Sequence, residues 1–223
     1  AQVVINNRSN AIRNPYAHLR EPVTMDEILA SPIMAWPLRQ LEIPPYSDGV
    51  CALVVTSASK AIQLCKNPAW IKGIGWSSDT YWFGDRDPDD LTSLKIAANQ
   101  AYSDAGITNP RKQIDVIEIH DTTATHQLMS MEALGFCSQG QASKLIGNTN
   151  VGNNGTAPVN PSGGALSSNP VFATGLVRVA EAASQVMDSA GDHQVDDTSL
   201  ALAHASNGLA SQGKTVVILG REP

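Results

Sequence analysis

Ile114-Asp-Val-Ile-Glu-Ile-His-Asp121 is the stretch on which the reading of this chain turns. Apolar Ile117 and Ile119 alternate ahead of His120 and Asp121, and Thr122-Thr-Ala-Thr125 then opens a helix. The pattern predicts a buried strand that ends on a histidine. A strand delivering His-Asp at its carboxyl end, just before a helix N-terminus, is a common place for chemistry in an α/β fold. The same residues also read as a core strand whose histidine caps the next helix. The flanking chain has to decide between the two.

Upstream, Leu91 to Ala105 carries Leu94, Ala97, Ala98, Ala101 and Tyr102 at helical spacing, with Gly106 at its stop. Trp70-Ile-Lys-Gly-Ile-Gly-Trp76 predicts a strand whose glycines admit a neighbouring backbone. Between them, residues 77–90 with Tyr81, Trp82 and Phe83 read as a loop lying over a neighbouring surface. Val50-Cys-Ala-Leu-Val-Val-Thr56 follows the turn Ser47-Asp-Gly49 and predicts a fully buried strand, with a short helix over Ser57 to Lys66. Four prolines make residues 31–47 an extended surface loop. Thr24-Met-Asp-Glu27 is a capping box that starts a short helix. Residues 1–14 predict a turn of helix running into the polar segment Asn6 to Asn10.

Downstream, Thr125 to Leu134 predicts a helix ended by Gly135, and Val171 to Met187 another. Residues 138–164, rich in Gly and Asn, form a long loop of the kind usually kept for function. Ser199 to His204 and Lys214 to Leu219 read as strands joined by a short Gly-containing turn, hence antiparallel neighbours. Strands alternating with helices, closed by that pair, predict a layered α/β domain with a mixed sheet.

Composition narrows the function classes. The 223 residues are 42% hydrophobic and 16% charged, enough for one large or two small cores. A net charge of −6 offers no basic footprint, so neither nucleic acid nor an anionic membrane surface is an expected partner. No apolar run approaches the length of a membrane span. Cys51, Cys65 and Cys137 show neither CxxC spacing nor an even-numbered framework, which points to a reducing, cytoplasmic setting. The chain begins Ala1-Gln-Val-Val-Ile5, without an initiator Met or a visible signal peptide. That start reads as a processed chain or a piece of a longer one.

Several motifs in fixed order resemble the C-terminal part of a thiolase of the sterol-carrier-protein type. They are Asn14-Pro-Tyr-Ala17 with Pro22-Val-Thr24, and Pro45-Tyr-Ser-Asp-Gly49 ahead of an apolar run. Next come Ile117-Glu-Ile-His-Asp121 with Glu132-Ala-Leu-Gly135, and Asn160-Pro-Ser-Gly-Gly164 with Ala173-Thr-Gly175. Each is weak alone, and their shared order and spacing are specific. The resemblance covers essentially the whole chain. It implies a thiolase-like αβα fold with a mixed sheet, residues 1–68 being a loop region and the end of the N-terminal thiolase half, and 69–223 the C-terminal domain.

The family departs at two places. Its Gly-His-Pro is here Ser168-Asn-Pro170, so Asn169 replaces a histidine, and a common glycine after it is Phe172. Its C-terminal cysteine base has no counterpart in His204-Ala-Ser-Asn-Gly-Leu-Ala-Ser-Gln-Gly213. The family's nucleophilic cysteine belongs to the N-terminal half, and none of the three cysteines here matches its position.

The resemblance implies an acyl-CoA C-acyltransferase that breaks or makes a C–C bond in a 3-oxoacyl-CoA. A cysteine thiolate carries the acyl group, a base moves the α-proton, and oxyanion holes hold two developing charges. In that scheme His120 donates to the thioester oxygen, and Asp121 orients the local backbone or caps the helix. Asn169 can donate to the enolate oxygen but cannot take a proton. Ser206 or Asn207 occupies the base position and needs an activating partner, for which His204 is a candidate when it is not simply a structural histidine. Gly163 and Gly164 let the backbone approach the CoA arm or the thioester, or form an ordinary turn. Phe172 and the loop from Trp76 to Phe83 add bulk beside the pocket, which fits an aromatic or branched acyl-CoA, as in benzoylsuccinyl-CoA thiolases. His126 and His18 read as surface or packing residues. No permanently bound cofactor or metal is expected, with the CoA thioester as substrate. Expected partners are the N-terminal thiolase half, a thiolase-type dimer mate and a small zinc-binding OB-fold subunit. Two other readings stay open: a thiolase-fold retro-aldolase on a hydroxyacyl-CoA such as a steroid side-chain, and a non-catalytic scaffold half.

Overall fold

The computed structural model describes residues 1–146 and 157–223. The chain opens with α1 (Gln2–Ala11) and α2 (Met25–Ala30), then a small hairpin of β1 (Ile33–Ala35) and β2 (Leu38–Arg39), then α3 (Ala58–Leu64). The main body follows as β3 (Trp70–Ser78), α4 (Thr92–Ala105), α5 (Pro110–Gln113), β4 (Val116–Ile119), α6 (Ala124–Ala133) and α7 (Ala142–Ile146). It closes with α8 (Gly164–Ser167), α9 (Thr174–Val186), β5 (Leu200–Asn207) and β6 (Gly213–Gly220). Four strands form one mixed sheet in the order β3-β6-β5-β4. β4 runs parallel to β5, while β6 is antiparallel to both β5 and β3.

The alternation of side chains along β5 and β6 splits the core in two. Leu202, Val216 and Ile218 face the larger cluster, built with Leu94, Ala97 and Ala101 of α4 and Met131 of α6. Ala201, Ala203 and Leu219 face the other way, onto Ala182 and Val186 of α9. The sheet is thus covered by helices on both faces, which is why β4 is buried along its whole length. The αβα arrangement with a mixed sheet agrees with the sequence reading, as does the antiparallel pairing of the last two strands.

Two glycines set the depth of one layer. A Cβ on Gly73 would lie 2.1 Å from the Ala101 carbonyl oxygen, and one on Gly75 only 1.8 Å from that of Ala97. The backbone of α4 therefore rests directly on β3, with no side chain between them.

Three local expectations need correction. The helix at the N-terminus does not stop at the polar segment; α1 runs through Asn6 to Ala11. Tertiary hydrogen bonds override the poor helix propensity of asparagine here: Asn7 and Asn10 aim their amides into the body of the protein. Val50 to Thr56 forms no strand, and Val50, Val54 and Val55 are 93%, 91% and 76% exposed. Its apolar pattern suits a buried strand, but no strand among the described residues pairs with it. The loop after β3 leaves Tyr81 and Trp82 exposed, and Arg86 ties it to the β5–β6 turn through the Leu209 carbonyl. Of the long loop 138–164, residues 147–156 lie outside the described residues; the rest contributes α7, α8 and a bridge from Val159 to Ile117.

The seating of α4 is open to measurement. Gly75→Ala should push α4 away from β3 and cost about 1–3 kcal/mol of stability, as overpacking does elsewhere. Urea unfolding of the variant should show a lower midpoint with an unchanged slope; an unchanged midpoint would mean that the contact is dispensable.

Candidate active site

The carboxyl ends of β4 and β5 and the start of β6 meet at one corner of the sheet. Register places them there: Ile119 lies beside His204, and Ser206 lies directly across from Lys214. His204, Ser206 and Lys214 share parity with Leu202, Val216 and Ile218, so they project from the α4 and α6 face. α6 adds His126 from above, its N-terminus capped by the Thr123 hydroxyl, which accepts from the His126 amide. Asp121 is therefore not the cap of this helix.

His120 is held from its backbone side. Its amide donates to the His204 carbonyl at 3.1 Å. The Ser206 amide in turn donates to His120 Nδ1 at 3.2 Å. An acceptor at Nδ1 leaves the proton of the neutral ring on Nε2. Nε2 has no hydrogen-bond partner among the described residues, so the ring offers one free N–H donor at the end of the sheet. Burial, with the nearby positive charges of Arg178 and Lys214, pushes His120 down to about 4 and keeps it neutral at physiological pH.

Ser206 Oγ lies 3.1 Å from His204 Nε2 and accepts from Lys214 Nζ at 3.1 Å. The Lys214 ammonium also reaches His126 Nε2 at 3.2 Å. His126 is pushed down to about 3 and His204 well below its ordinary value, both by burial first and the Lys214 charge second. One lysine thus bonds neutral His126 directly and neutral His204 through Ser206, with neutral His120 on the Ser206 amide.

Behind this corner, the Asp121 carboxylate is fully buried. It accepts from the Ala165 amide at 2.6 Å, from the Leu166 amide at 3.4 Å and from the Asn7 amide group at 2.6 Å. Burial pushes Asp121 up to about 7, against the charge of Arg178 and these N–H donors. On the α9 face, Glu118 and Arg178 form a buried ion pair at 2.5 Å, joined by Ser162.

The other expected site residues lie as follows. Asn169 sits ahead of α9, where its side-chain oxygen accepts from the Thr174 hydroxyl at 2.7 Å. That bond turns its NH2 outward, without a partner among the described residues. Gly175 brings this end of α9 close to the sheet, since a Cβ there would lie 2.8 Å from that of Ala205. Asn207 is exposed and covers Gly213, and Phe172 projects wholly into solvent. Gly163 and Gly164 are buried at positive φ; their missing Cβ atoms make room for Ala11 and for the Asp121 carboxylate. No hydrogen bond joins Asn169 to the histidine corner among the described residues, which also hold no cluster of metal-ligating side chains. None of their helices is long and apolar enough to cross a membrane.

Residues 75–221 match the family described as Thiolase C-terminal domain-like. The chain belongs to this thiolase family. It is 32% identical to the acetyl-CoA acetyltransferase of Methanothermobacter thermautotrophicus over 93% of this chain and 54% of the relative. Benzoylsuccinyl-CoA thiolase subunit BbsB of Thauera aromatica is 30% identical over the same shares. A solved structure described as an Ltp2-ChsH2(DUF35) aldolase superposes with a TM-score of 0.87 at 28% identity, covering 99% of this chain and 57% of its own. The chain spans about half the length of the curated relatives it matches.

Within this thiolase frame, two members of the corner escape the motif comparison. His126 reads as a packing residue from sequence, yet it bonds Lys214. Lys214 itself carries a signal that parity reveals: in Lys214-Thr-Val-Val-Ile-Leu219 it occupies the same face as core residues Val216 and Ile218. A lysine in register with two core positions asks for a buried partner.

The three depressed histidines make stability fall in acid. The unfolded chain binds protons near pH 6.5 that the folded site refuses until about 4 or lower, so the histidines' contribution is full above 6.5 and is lost as pH drops, offset in part by Asp121, which takes up its proton at about 7 in the folded chain. Each histidine adds about 1.4 kcal/mol per pH unit to that slope. Urea unfolding at pH 7, 6, 5 and 4 should show it, and His126→Gln should flatten the slope by one proton; an identical slope would remove His126 from the set.

Proposed function

We propose that this chain is the C-terminal part of an acyl-CoA C-acyltransferase, which cleaves or forms the C–C bond of a 3-oxoacyl-CoA together with an N-terminal thiolase part that supplies the nucleophilic cysteine. The observation that carries the reading is the His120 tautomer. With Nδ1 occupied by the Ser206 amide, Nε2–H is a fixed, neutral donor with no partner among the described residues. Such a donor stabilises the negative charge that grows on a thioester oxygen without adding a proton to it. Asn169, with its oxygen fixed by Thr174, offers a second N–H for the enolate oxygen. Phe172 gives an apolar surface for the acyl group, and the two glycines act from behind, Gly164 by admitting the carboxylate that anchors the end of β4 and Gly163 by admitting α1 at Ala11. The names of the acetyltransferase and benzoylsuccinyl-CoA thiolase relatives support acyl-CoA as the substrate class.

The likeness to the Ltp2-ChsH2(DUF35) aldolase favours a second reading, aldol cleavage of a hydroxyacyl-CoA with a companion subunit. Product analysis separates the two. The full-length protein, given a 3-oxoacyl-CoA and free CoA, should yield two shorter acyl-CoAs by mass spectrometry, and His120→Ala should lower kcat by about 10²–10³-fold, the usual loss for one oxyanion donor. Undiminished turnover in that variant would remove His120 from the oxyanion hole. A free ketone or aldehyde from a hydroxyacyl-CoA, with no thiolysis, would establish the aldol reading instead.

A further inference from the structure

Resting on the reading that this corner handles an acyl-CoA, we propose that Ser206 Oγ–H is the group that passes protons to and from the substrate, and that Lys214 acts through it as the proton store.

The geometry is directional. An ammonium only donates, so Lys214 Nζ gives one hydrogen bond to Ser206 Oγ and one to His126 Nε2. The Ser206 hydroxyl is left to donate its own proton, either to His204 Nε2 at 3.1 Å or outward to a substrate. Ser206 is half-buried and sits one residue from exposed Asn207, while Lys214 is 2% exposed. The serine therefore meets both substrate and lysine, and the lysine meets the substrate only through the serine. The Ser206 amide is also the donor that fixes His120, so the proton-carrying hydroxyl and the thioester-polarising ring are positioned by the same residue.

The surroundings suit a lysine that changes charge. Among the described residues Lys214 has no ion-pair partner. His126 on α6 bonds it, His204 on β5 reaches it through Ser206, and His120 sits at the end of β4 on the Ser206 amide, all neutral; Asp79, just beyond β3, is the one carboxylate that favours its charge. Burial wins, and pushes Lys214 down to about 8. A serine hydroxyl alone holds its proton too tightly to serve as a base, and the Asn169 amide cannot carry one, so the site has no other mobile proton as well placed.

The steps balance. When the C–C bond of the 3-oxoacyl-CoA breaks, the acyl carbon stays on the nucleophilic thiolate and the electron pair goes to the α-carbon of the enolate. Ser206 gives its proton to that carbon and takes one from the Lys214 ammonium, which becomes the amine. Incoming CoA thiol then loses its proton to Ser206 as the serine proton passes to Lys214. The CoA thiolate takes the acyl group, the first thiolate leaves, and the ammonium is restored. In aldol cleavage the same relay, starting from the amine, takes the substrate hydroxyl proton and returns it to the enolate carbon.

The test is the pH dependence of kcat/KM for the full-length protein and for Lys214→Met, Lys214→Arg, Ser206→Ala and the double variant Lys214→Met/Ser206→Ala. The wild type should show an ionisation near pH 8. Lys214→Met should lose about 10²–10⁴-fold in rate, the range of general acid–base effects, and should lose that ionisation. Lys214→Arg should keep the charge and fail to restore the rate, because guanidinium does not release its proton. Ser206→Ala, which leaves the lysine in place, should match Lys214→Met, and the double variant should be no slower than either. Persistence of the ionisation in Lys214→Met, rescue by arginine, or additive losses in the double variant would each overturn the proposal. The product reports separately on the reaction: aldol products with the ionisation still lost in Lys214→Met would replace the thiolysis reading and keep the relay.

Discussion

The Asp121 carboxylate is the contact on which the candidate site of this domain depends. It is the residue after His120, it is fully buried, and its oxygens are taken up by α1 through Asn7 and by the first turn of α8 through two amides. Asparagine supplies both ends of this arrangement: Asn7 reaches the carboxylate, and Asn160 accepts from the Ile119 amide at 2.6 Å while Asn10 donates to the Asn160 carbonyl. A buried carboxylate is costly unless its lone pairs are occupied. The cost is met only when β4, α1 and α8 all arrive in place. Gly164 is a consequence, since any side chain there would fall 2.4 Å from Asn160 and 2.7 Å from Asp121. The strand end is thereby held from α1, α8 and residue 160 together, and a hydrogen-bond donor held in this way needs little reorganisation to meet a developing charge.

The two faces of the sheet do different work. On the α9 face, Arg178 and Glu118 satisfy one another and Ser162, and Glu181 accepts from Asn14 and pairs with His193. These polar groups pair mainly with one another, although Arg178 Nε and His193 Nδ1 have no partner among the described residues. On the α6 face the corresponding depth holds a lysine without a salt-bridged carboxylate among the described residues, beside neutral His126 and His204, with neutral His120 at the end of β4. The first arrangement joins the layers; the second leaves charge that has nowhere to settle. Unsettled buried charge of this kind is more often found where chemistry is done than where chains are merely packed.

Much of the fold was legible because its strong signals are periodic. The α4 stripe of Leu94, Ala97, Ala98 and Ala101, the Gly73 and Gly75 pair, and the short turn between β5 and β6 each forced one structure. The motif order led to His120, and composition to a globular α/β domain. The failures share a cause, in that they depend on partners distant in sequence. Asn6 to Asn10 look like a helix end until their acceptors at Asp121 and residues 159–160 are known. Val50 to Thr56 looks like a core strand, and only the rest of the sheet reveals that it has no neighbour there. His126 and Lys214 lie 88 residues apart and have meaning only together. Lys214 alone left a trace, its parity with Val216 and Ile218, and parity is informative only after the face it points to has been recognised as core.

The exposed run from Val50 to Thr56 has a practical side. It is seven uncharged, mostly apolar residues with neither proline nor glycine, and its backbone has no ladder partner among the described residues. Such a segment is a template for adding strands from other chains. Handled by itself at high concentration, this polypeptide will tend towards self-association through that segment, however well its sheet is folded. Its colloidal behaviour is then governed by a stretch that takes no part in the histidine corner, and light scattering of the isolated chain would report on whether Val50 to Thr56 is covered far more than on the state of that corner.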